Sequence, residues 1–342
     1  MSDFFKIVRD FLLDYLPIQR NYSTNTVKSY RDTLKIFIEF LREVKHIKLA
    51  DITFSTFNKN IIIEFLEWLQ TKRNCSATSR NHRLTVLRSF FQYAAEQDCT
   101  LISLSLTLQK EVKSQKHAGK MVGYLSEAAL KALLEQPDTT TRIGLRNSVF
   151  MVLMYDTGAR CGEILNLRIC DLKFKTSNAE VYLLGKGRKP RLAPLLPKTV
   201  AHIERYLREF HPDCRLDSED YLFYTVIHGK RNKISADTIA AFMKKYGEMA
   251  KLICPETPEH IHPHMMRHTR AMHYYREGMP LVLLSEYLGH ADPQTTRVYA
   301  FADTQMKRAA MEKAEPNQRN TPEPAAIWVN DENMILRLSG IM

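Results

Sequence analysis

Apolar side chains recur at helical spacing through most of this chain. From Thr24 to Leu41 they fall at Val27, Tyr30, Leu34, Phe37 and Leu41, with Lys28, Arg31, Lys35 and Glu39 between them. That spacing puts one apolar stripe on an otherwise solvated helix. Similar stripes run over Phe4 to Leu16, Ile61 to Leu69 and Leu84 to Ala94, the last behind Ser76, Thr78 and Ser79, whose hydroxyls suit an N-cap. Four such helices within residues 1–109 predict a small bundle.

The pattern then fails. Lys110 to Lys120, KEVKSQKHAGK, carries four lysines, one glutamate and almost nothing apolar, so residues 110–121 are predicted to be an exposed basic linker. Helical spacing returns with Ser126 placed to cap Glu127 to Glu135, then a mostly apolar helix from Arg146 to Tyr155. The clear β signal lies between Ala179 and Leu195, where two apolar runs flank Gly185-Lys186-Gly187-Arg188-Lys189 as a hairpin would. From Thr199 the spacing reads as helical, broken at His211-Pro212, Pro255 to Pro263 and Gly278. Residues 122–314 thus predict a second, α+β domain, mostly helical with a small antiparallel sheet. In residues 315–342, Glu315 to Pro324 reads as a tether ahead of two apolar clusters, Ile327-Trp328-Val329 and Met334-Ile335-Leu336. Such an apolar element needs burial, on its own domain or on a neighbouring protomer.

Charge narrows the class. The 342 residues hold 49 Lys and Arg against 38 Asp and Glu, a net charge of +11, which favours a polyanionic partner, with nucleic acid preferred over an anionic membrane surface. No apolar run approaches the roughly 18 to 20 residues that span a bilayer, and the opening Met-Ser-Asp-Phe-Phe-Lys lacks the layout of a secretory signal, so no membrane association and a cytoplasmic location are expected. The six cysteines are scattered without a Cys-x-x-Cys pair, which points to reduced thiols instead of a disulfide framework or zinc knuckle. In the first domain Arg80, Arg83 and Arg88 fit either a solvated basic face or contact with a phosphate backbone, and Lys113 and Lys116 of the linker could track the same backbone.

Tyr299 ends the run Leu288-Gly-His290-Ala-Asp-Pro-Gln-Thr-Thr-Arg-Val-Tyr299. A phenol with a pKa of about 10 is a poor nucleophile at neutral pH and needs cations and a base beside it. A phosphodiester transferred to such a tyrosine gains negative charge on its non-bridging oxygens, and the planar forks of Arg160 and Arg267 suit that charge. Lys186, between glycines at the hairpin tip, fits a general acid for the leaving oxygen, and equally an ordinary exposed lysine of a basic turn. Pro263 suits the first turn of a helix that would align His264, Arg267 and His268 on one face, able to bind a phosphate or a metal. A third metal ligand is missing at any recognised distance, so no metal is expected. His268 also fits a buried histidine bonded to backbone. His290, after Gly289, fits a helix N-terminus as an anion donor or a cap, and Glu163, one turn after Arg160, fits the partner that orients that arginine.

Taken together, Thr157-Gly-Ala-Arg160-Cys-Gly-Glu163-Ile-Leu-Asn-Leu167, Gly185-Lys186-Gly187, His264-Met-Met-Arg267-His268-Thr and Leu288-Gly-His290 with Tyr299 resemble the tyrosine recombinase, or phage integrase, family. The resemblance covers the whole second domain; the four-helix segment and linker are similar to that family's core-binding, SAM-like domain, less specifically. It implies a clamp around duplex DNA in which Tyr299 forms a 3′-phosphotyrosyl link and frees a 5′-hydroxyl. Arg160, Arg267 and His290 would stabilise the transition state, His264 would act as base or phosphate donor, and Lys186 as general acid. No cofactor is implied, because the phosphotyrosine conserves the bond energy. The family also implies four protomers exchanging strands through a Holliday junction, a C-terminal tail that engages a neighbour in trans, and, in some systems, accessory DNA-bending proteins. One departure is Arg270, where an apolar residue is expected. Competing readings are a type IB-like topoisomerase, which acts as a monomer, a DNA-binding protein without catalysis, and a zinc hydrolase built on the histidines.

Overall fold

Phenylalanine builds the first of two units, Met1–Lys120 and Met121–Met342, into which the chain divides. The computed structural model describes residues 3–116, 123–174, 178–185, 189–290, 292–302, 308 and 331–340. In the first unit, α1 (Asp3–Asp10) runs on into a π-helical segment, Phe11–Gln19. α2 (Thr24–Glu43), α3 (Lys59–Thr71) and α4 (Ala77–Gln97) each begin where a side-chain oxygen of Ser23, Asn58 or Ser76 accepts an orphan backbone N–H of the first turn. Their apolar stripes meet around Phe4, Phe11, Phe37, Phe65 and Phe90, all fully buried, with edge-to-face pairs such as Phe4–Phe90 at 5.7 Å and Phe37–Phe65 at 4.9 Å.

Two features of this unit differ from expectation. A further helix, α5 (Ile102–Lys110), extends the four-helix bundle. Its ISLSL run alternates like a strand, yet Ser105 and Leu108, with Leu101 just before it, form the buried helical face, while Ile102 and Leu106 stay 48% exposed. The first part of the predicted linker is not free either. Val112 enters the core at 2% exposure, and Arg88 donates from Nε to Leu108 O at 3.0 Å and from Nη2 to Val112 O. Asn81 pairs with the backbone of Gln115 in both directions, at 2.8 and 2.9 Å. One apolar residue and a few side-chain-to-backbone bonds fasten residues 110–115, and a composition argument sees neither. Residues 117–122 lie outside the described residues.

The second unit opens with α6 (Glu127–Leu134), capped by Ser126, then α7 (Arg142–Thr157) and the short α8 (Cys161–Leu165). β1 (Leu172–Lys173), β2 (Glu180–Leu184) and β3 (Pro190–Pro194) make an antiparallel sheet in that order, with Tyr182 opposite Leu192. α9 (Pro197–Phe210) follows, then a hairpin of β4 (Tyr224–Ile227) and β5 (Lys230–Lys233), in a stretch whose spacing reads as helical. His228 and Gly229 turn that hairpin with φ of 49° and 74°, the left-handed pair of a two-residue turn, and β5 is polar and exposed along its length, so no alternation announces it. α10 (Ala236–Ile253), α11 (Pro263–Arg276), α12 (Leu281–Leu288) and α13 (Arg297–Ala302) complete the body of the unit.

The core of the unit is centred on α7, whose Leu145, Val149, Phe150, Leu153 and Met154 pack with Leu183, Ala193, Phe223, Met243 and Met266. A smaller cluster joins α11, α12 and α13 through Ala271, Met272, Leu284, Leu288 and Tyr299. α14 (Glu332–Leu338) carries part of the apolar tail in the open, with Met334 37%, Ile335 46% and Leu338 68% exposed. The tether at Glu315 to Pro324 and Ile327-Trp328-Val329 lie outside the described residues. Among the described residues no helix is long and apolar enough to cross a membrane.

Candidate active site

Two helix C-termini face each other in the second unit. α7 ends at Gly158, with φ of 57°, where an added Cβ would meet Leu288 Cδ2 at 3.1 Å and Tyr287 Cε1 at 3.2 Å. α12 ends at Gly289, with φ of 64°, where a Cβ would meet Arg191 Cδ at 2.9 Å. Only glycine combines that backbone with so close an approach. Terminal carbonyls of a helix lack intrahelical donors and carry its partial negative charge. Two arginines meet them here. Arg267 of α11, 1% exposed, donates to Gly158 O at 2.8 Å and to Leu288 O at 2.6 Å. Arg191 of β3 donates to Tyr287 O at 2.8 Å and to Glu163 Oε2 at 3.1 Å.

The chain leaving each turn carries chemistry. Beyond Gly158, Arg160 is the N-cap of α8, where Glu163 Oε2 accepts from its backbone N–H at 3.1 Å and Oε1 from its Nη1 at 2.8 Å. Burial raises the pKa of Glu163, but the hydrogen bond from Arg160 and the charge of Arg191 outweigh it and hold the carboxyl below its ordinary range. Glu163 therefore pairs with both Arg160 and Arg191. Beyond Gly289, His290 donates its N–H to Ser285 O at 3.0 Å, and its Nδ1 lies 2.7 Å from Thr296 Oγ1 on the turn leading into α13. His290 follows a helix C-terminus instead of opening a helix, because Gly289 ends α12 in a left-handed cap.

α11 starts with Pro263 at its first turn and aligns His264, Arg267 and His268 on one face, the two imidazoles crossing at 4.7 Å. His264 is exposed and His268 half-buried. His268 is not bonded to backbone through Nδ1: that atom lies 2.9 Å from the hydroxyl of Tyr299, which is 1% exposed. Burial pushes the Tyr299 phenol up to about 12, against the opposing pull of Arg267 and Arg160. Burial and the neighbouring cations push His268 and His290 down to about 4. His264 is lowered by the same causes, and Arg267 falls to about 10 through burial and then Arg160, still protonated at neutral pH. Cationic Arg160, Arg191 and Arg267 thus surround neutral imidazoles and the buried carboxylate of Glu163. The arrangement is built to receive an anion.

Neighbouring groups of similar chemistry are already engaged. The Tyr287 hydroxyl donates to Asp156 O, its ring stands edge-on to Tyr274 at 5.0 Å, and burial drives its pKa up. Arg270, the departure from the family pattern, is 9% exposed and pairs with Asp156 Oδ1 at 3.0 Å while lying over the rings of Tyr274 and Tyr155 at 4.0 and 4.7 Å. An ion pair inside an aromatic cage takes the place of an apolar contact.

Arg160, His264, Arg267, His290 and Tyr299 are therefore brought into one site, whereas Lys186 lies outside the described residues. Arg191, on the basic hairpin, is a member of this site outside the motif residues. The signal that marks it is strand alternation, since it points to the same side as buried Ala193 two residues on. In the first unit Arg80 is 7% exposed, and its Nη1 lies 3.2 Å from Asn81 Oδ1 and 3.5 Å from Lys113 O. Arg80 and Arg88 thus hold the strap after α5 instead of lying on an open basic face. Arg83 is half-buried, with Nη1 3.2 Å from Cys75 Sγ, and lines a polar groove with Lys28, Ser29 and His82; Lys113 and Lys116 are exposed. Among the described residues no three His, Cys, Asp or Glu side chains gather as a metal site.

Comparison with known proteins matches residues 123–306 to the Phage integrase family and residues 10–98 to the Phage integrase, N-terminal SAM-like domain. The integrase/recombinase y4rC of Sinorhizobium fredii is 30% identical over 313 residues, 91% of each chain. The tyrosine recombinase XerC of Oceanobacillus iheyensis is 30% identical over 307 residues, 90% of this chain and 95% of its own. Among solved structures, the XerH site-specific recombinase bound to palindromic difH substrate in a post-cleavage complex superposes with a TM-score of 0.66 at 24% identity, over 86% of this chain and 81% of that one. The Tn1549 transposon integrase in complex with transposon right end DNA gives 0.66 at 16% identity, over 89% and 98%. At such identities the superpositions show a shared fold, while the sequence matches reach across both units and the whole arginine, histidine and tyrosine site; the chain belongs to the phage integrase family of tyrosine recombinases.

Proposed function

We infer that this protein is a site-specific recombinase that cuts and rejoins duplex DNA through a covalent link at Tyr299. The observation that carries the reading is the bond from the Tyr299 hydroxyl to a histidine on the helix face that also presents Arg267, inside a site with excess positive charge. In this reading the phenol oxygen attacks the scissile phosphorus, giving a 3′-phosphotyrosyl link and a free 5′-hydroxyl. Arg160 and Arg267 bind the non-bridging oxygens, His264 and His290 donate to the same charge, and Lys186 protonates the leaving oxygen. Joining reverses these steps without a cofactor. Arg83 and the exposed Lys113 and Lys116 contribute phosphate contacts from the first unit. The exposed apolar face of α14 favours assembly of four protomers across two duplexes over a monomeric topoisomerase. The role that goes with this reading is integration, excision or transposition of a mobile element in the cytoplasm, with accessory DNA-bending proteins where the site needs bending.

Covalent trapping tests it. Nicked duplexes from the DNA flanking the gene are incubated with the wild type and with Tyr299→Phe, and denatured products are resolved on a gel. An adduct in the wild type alone supports the assignment. An adduct in Tyr299→Phe would place the nucleophile elsewhere, and tight binding with no adduct on any flanking site would favour a DNA-binding protein without the reaction.

A further inference from the structure

We propose that His268 is the catalytic proton acceptor for Tyr299, its Nδ1 taking the phenolic proton as the tyrosine oxygen bonds to phosphorus. This rests on the reading of Tyr299 as the nucleophile. A phenol has one proton to donate, and among the described residues the Tyr299 hydroxyl has one hydrogen bond, to His268 Nδ1 at 2.9 Å. That length is within the reach required of a general base. Tyr299 is 1% exposed, so bulk water does not collect its proton. His264, the other imidazole on this helix face, is exposed and packs against His268 at 4.7 Å, on the phosphate side of the proposed mechanism.

The surroundings explain how a weak base is made to act at the right moment. Burial first, and then His264 and Arg267 of α11 with His262 and His290, disfavour protonation of His268, which leaves the Nδ1 lone pair free for the phenol. The phenol itself is held up by burial. Proton transfer is therefore uphill in the free protein. A bound phosphodiester brings negative charge against Arg160 and Arg267, offsets the cations that suppress an imidazolium, and raises the basicity of His268 only when there is something to attack. The step balances. The proton passes from Tyr299 Oη to His268 Nδ1, the Oη–P bond forms, the P–O5′ bond breaks, and the leaving oxygen takes its proton from the general acid. On joining, the 5′-hydroxyl returns its proton to the deprotonated general acid as its oxygen bonds to phosphorus, the Oη–P bond breaks, and the departing phenolate recovers its proton from His268.

The test uses the full-length protein and a duplex with a 5′-bridging phosphorothiolate, whose leaving group needs no proton, so the rate of adduct formation reports activation of the nucleophile. His268→Asn keeps an acceptor for the hydrogen bond but cannot take up a proton. Adduct formation should slow by about 10²–10⁴-fold with DNA binding unchanged. Replacing Tyr299 by a fluorotyrosine of lower pKa should recover most of that loss, because less base is then needed. A His268→Asn rate within about threefold of wild type, or a defect that fluorination leaves in place, overturns the proposal and leaves His268 a positioning residue. If His268→Asn fails to fold, the wild-type pH–rate profile decides: an acid limb unmoved by fluorination supports the base, and a rate that simply follows hydroxide overturns it. No adduct from wild-type protein would remove Tyr299 as nucleophile and this proposal with it, an outcome separate from a fast His268→Asn.

Discussion

Arginines in the two units meet the same physical problem and lead to different consequences. Arg80 and Arg88 in the first unit, and Arg191 and Arg267 in the second, are largely removed from water, and each directs guanidinium donors at backbone carbonyls. In the first unit those carbonyls belong to the last turn of α5 and the strap after it, Leu108 to Lys113, so the bonds close the end of a bundle. In the second they belong to the ends of α7 and α12, whose next residues but one or two are Arg160 and His290. A buried arginine is thus a clamp in both places. Whether it is also a catalytic device depends on what the clamped chain continues into.

Changes to the second pair should break that comparison most sharply. Arg267→Ala removes the proposed phosphate ligand and takes away the donors to Gly158 O and Leu288 O. Single-turnover cleavage should fall by about 10³-fold or more, and a urea melt should show a loss of roughly 2–5 kcal/mol. Wild-type-like cleavage in that variant would remove Arg267 from the site. Arg191→Met should slow cleavage by about 10²-fold with less damage to stability, because it releases Glu163 and the carbonyl of Tyr287 while leaving Arg160 and Arg267 in place. If stability fell and cleavage did not, Arg191 would belong with Arg80 and Arg88.

Much of this contrast is legible in the sequence where chemistry is local. The i, i+3 spacing of Arg160 and Glu163, the capping serines, and Pro263 ahead of His264, Arg267 and His268 each encode a contact within one helical turn. What escapes is set between distant segments. The bond from His268 to Tyr299 joins residues 31 apart, and the carbonyls that receive Arg267 lie on two other helices. Arg80 and Arg83, three residues apart on α4, look alike in sequence, yet one is buried and the other half-buried, because α5 and its strap cover only one side. β5 and α5 escape for a related reason, since an exposed polar strand and an alternating helix both hide the period of their backbone.

Acid should affect the second unit before the first. His268 and His290 titrate at about 4 in the folded protein, and His211, His264 and His273 are also lowered, burial being the first cause in each case. An unfolded chain takes up protons at these positions from about pH 6.5 downward, so stability falls as pH drops from about 6.5 to 4 and levels off below. Urea melts at pH 7.5, 5.5 and 4.5, followed by far-UV circular dichroism, check the sign. Bound DNA should shrink the loss, because a phosphate favours protonated imidazoles. An acid loss unchanged by DNA would place these histidines away from the phosphate.

The smallest effect is the most discriminating. Arg88→Met keeps the length and apolar stem of the side chain while removing its donors to Leu108 O and Val112 O. Because the strap lies near the surface, water replaces part of what is lost, and the destabilisation should be only about 1–2 kcal/mol. Single-turnover cleavage at saturating protein should stay within about threefold of wild type, since the carbonyls concerned lead to no reactive group. If DNA affinity also held, Arg88 would be a clamp and nothing more. A uniform loss of affinity with a shallower salt dependence would instead show that its guanidinium, or the strap lysines it positions, meets a phosphate after all.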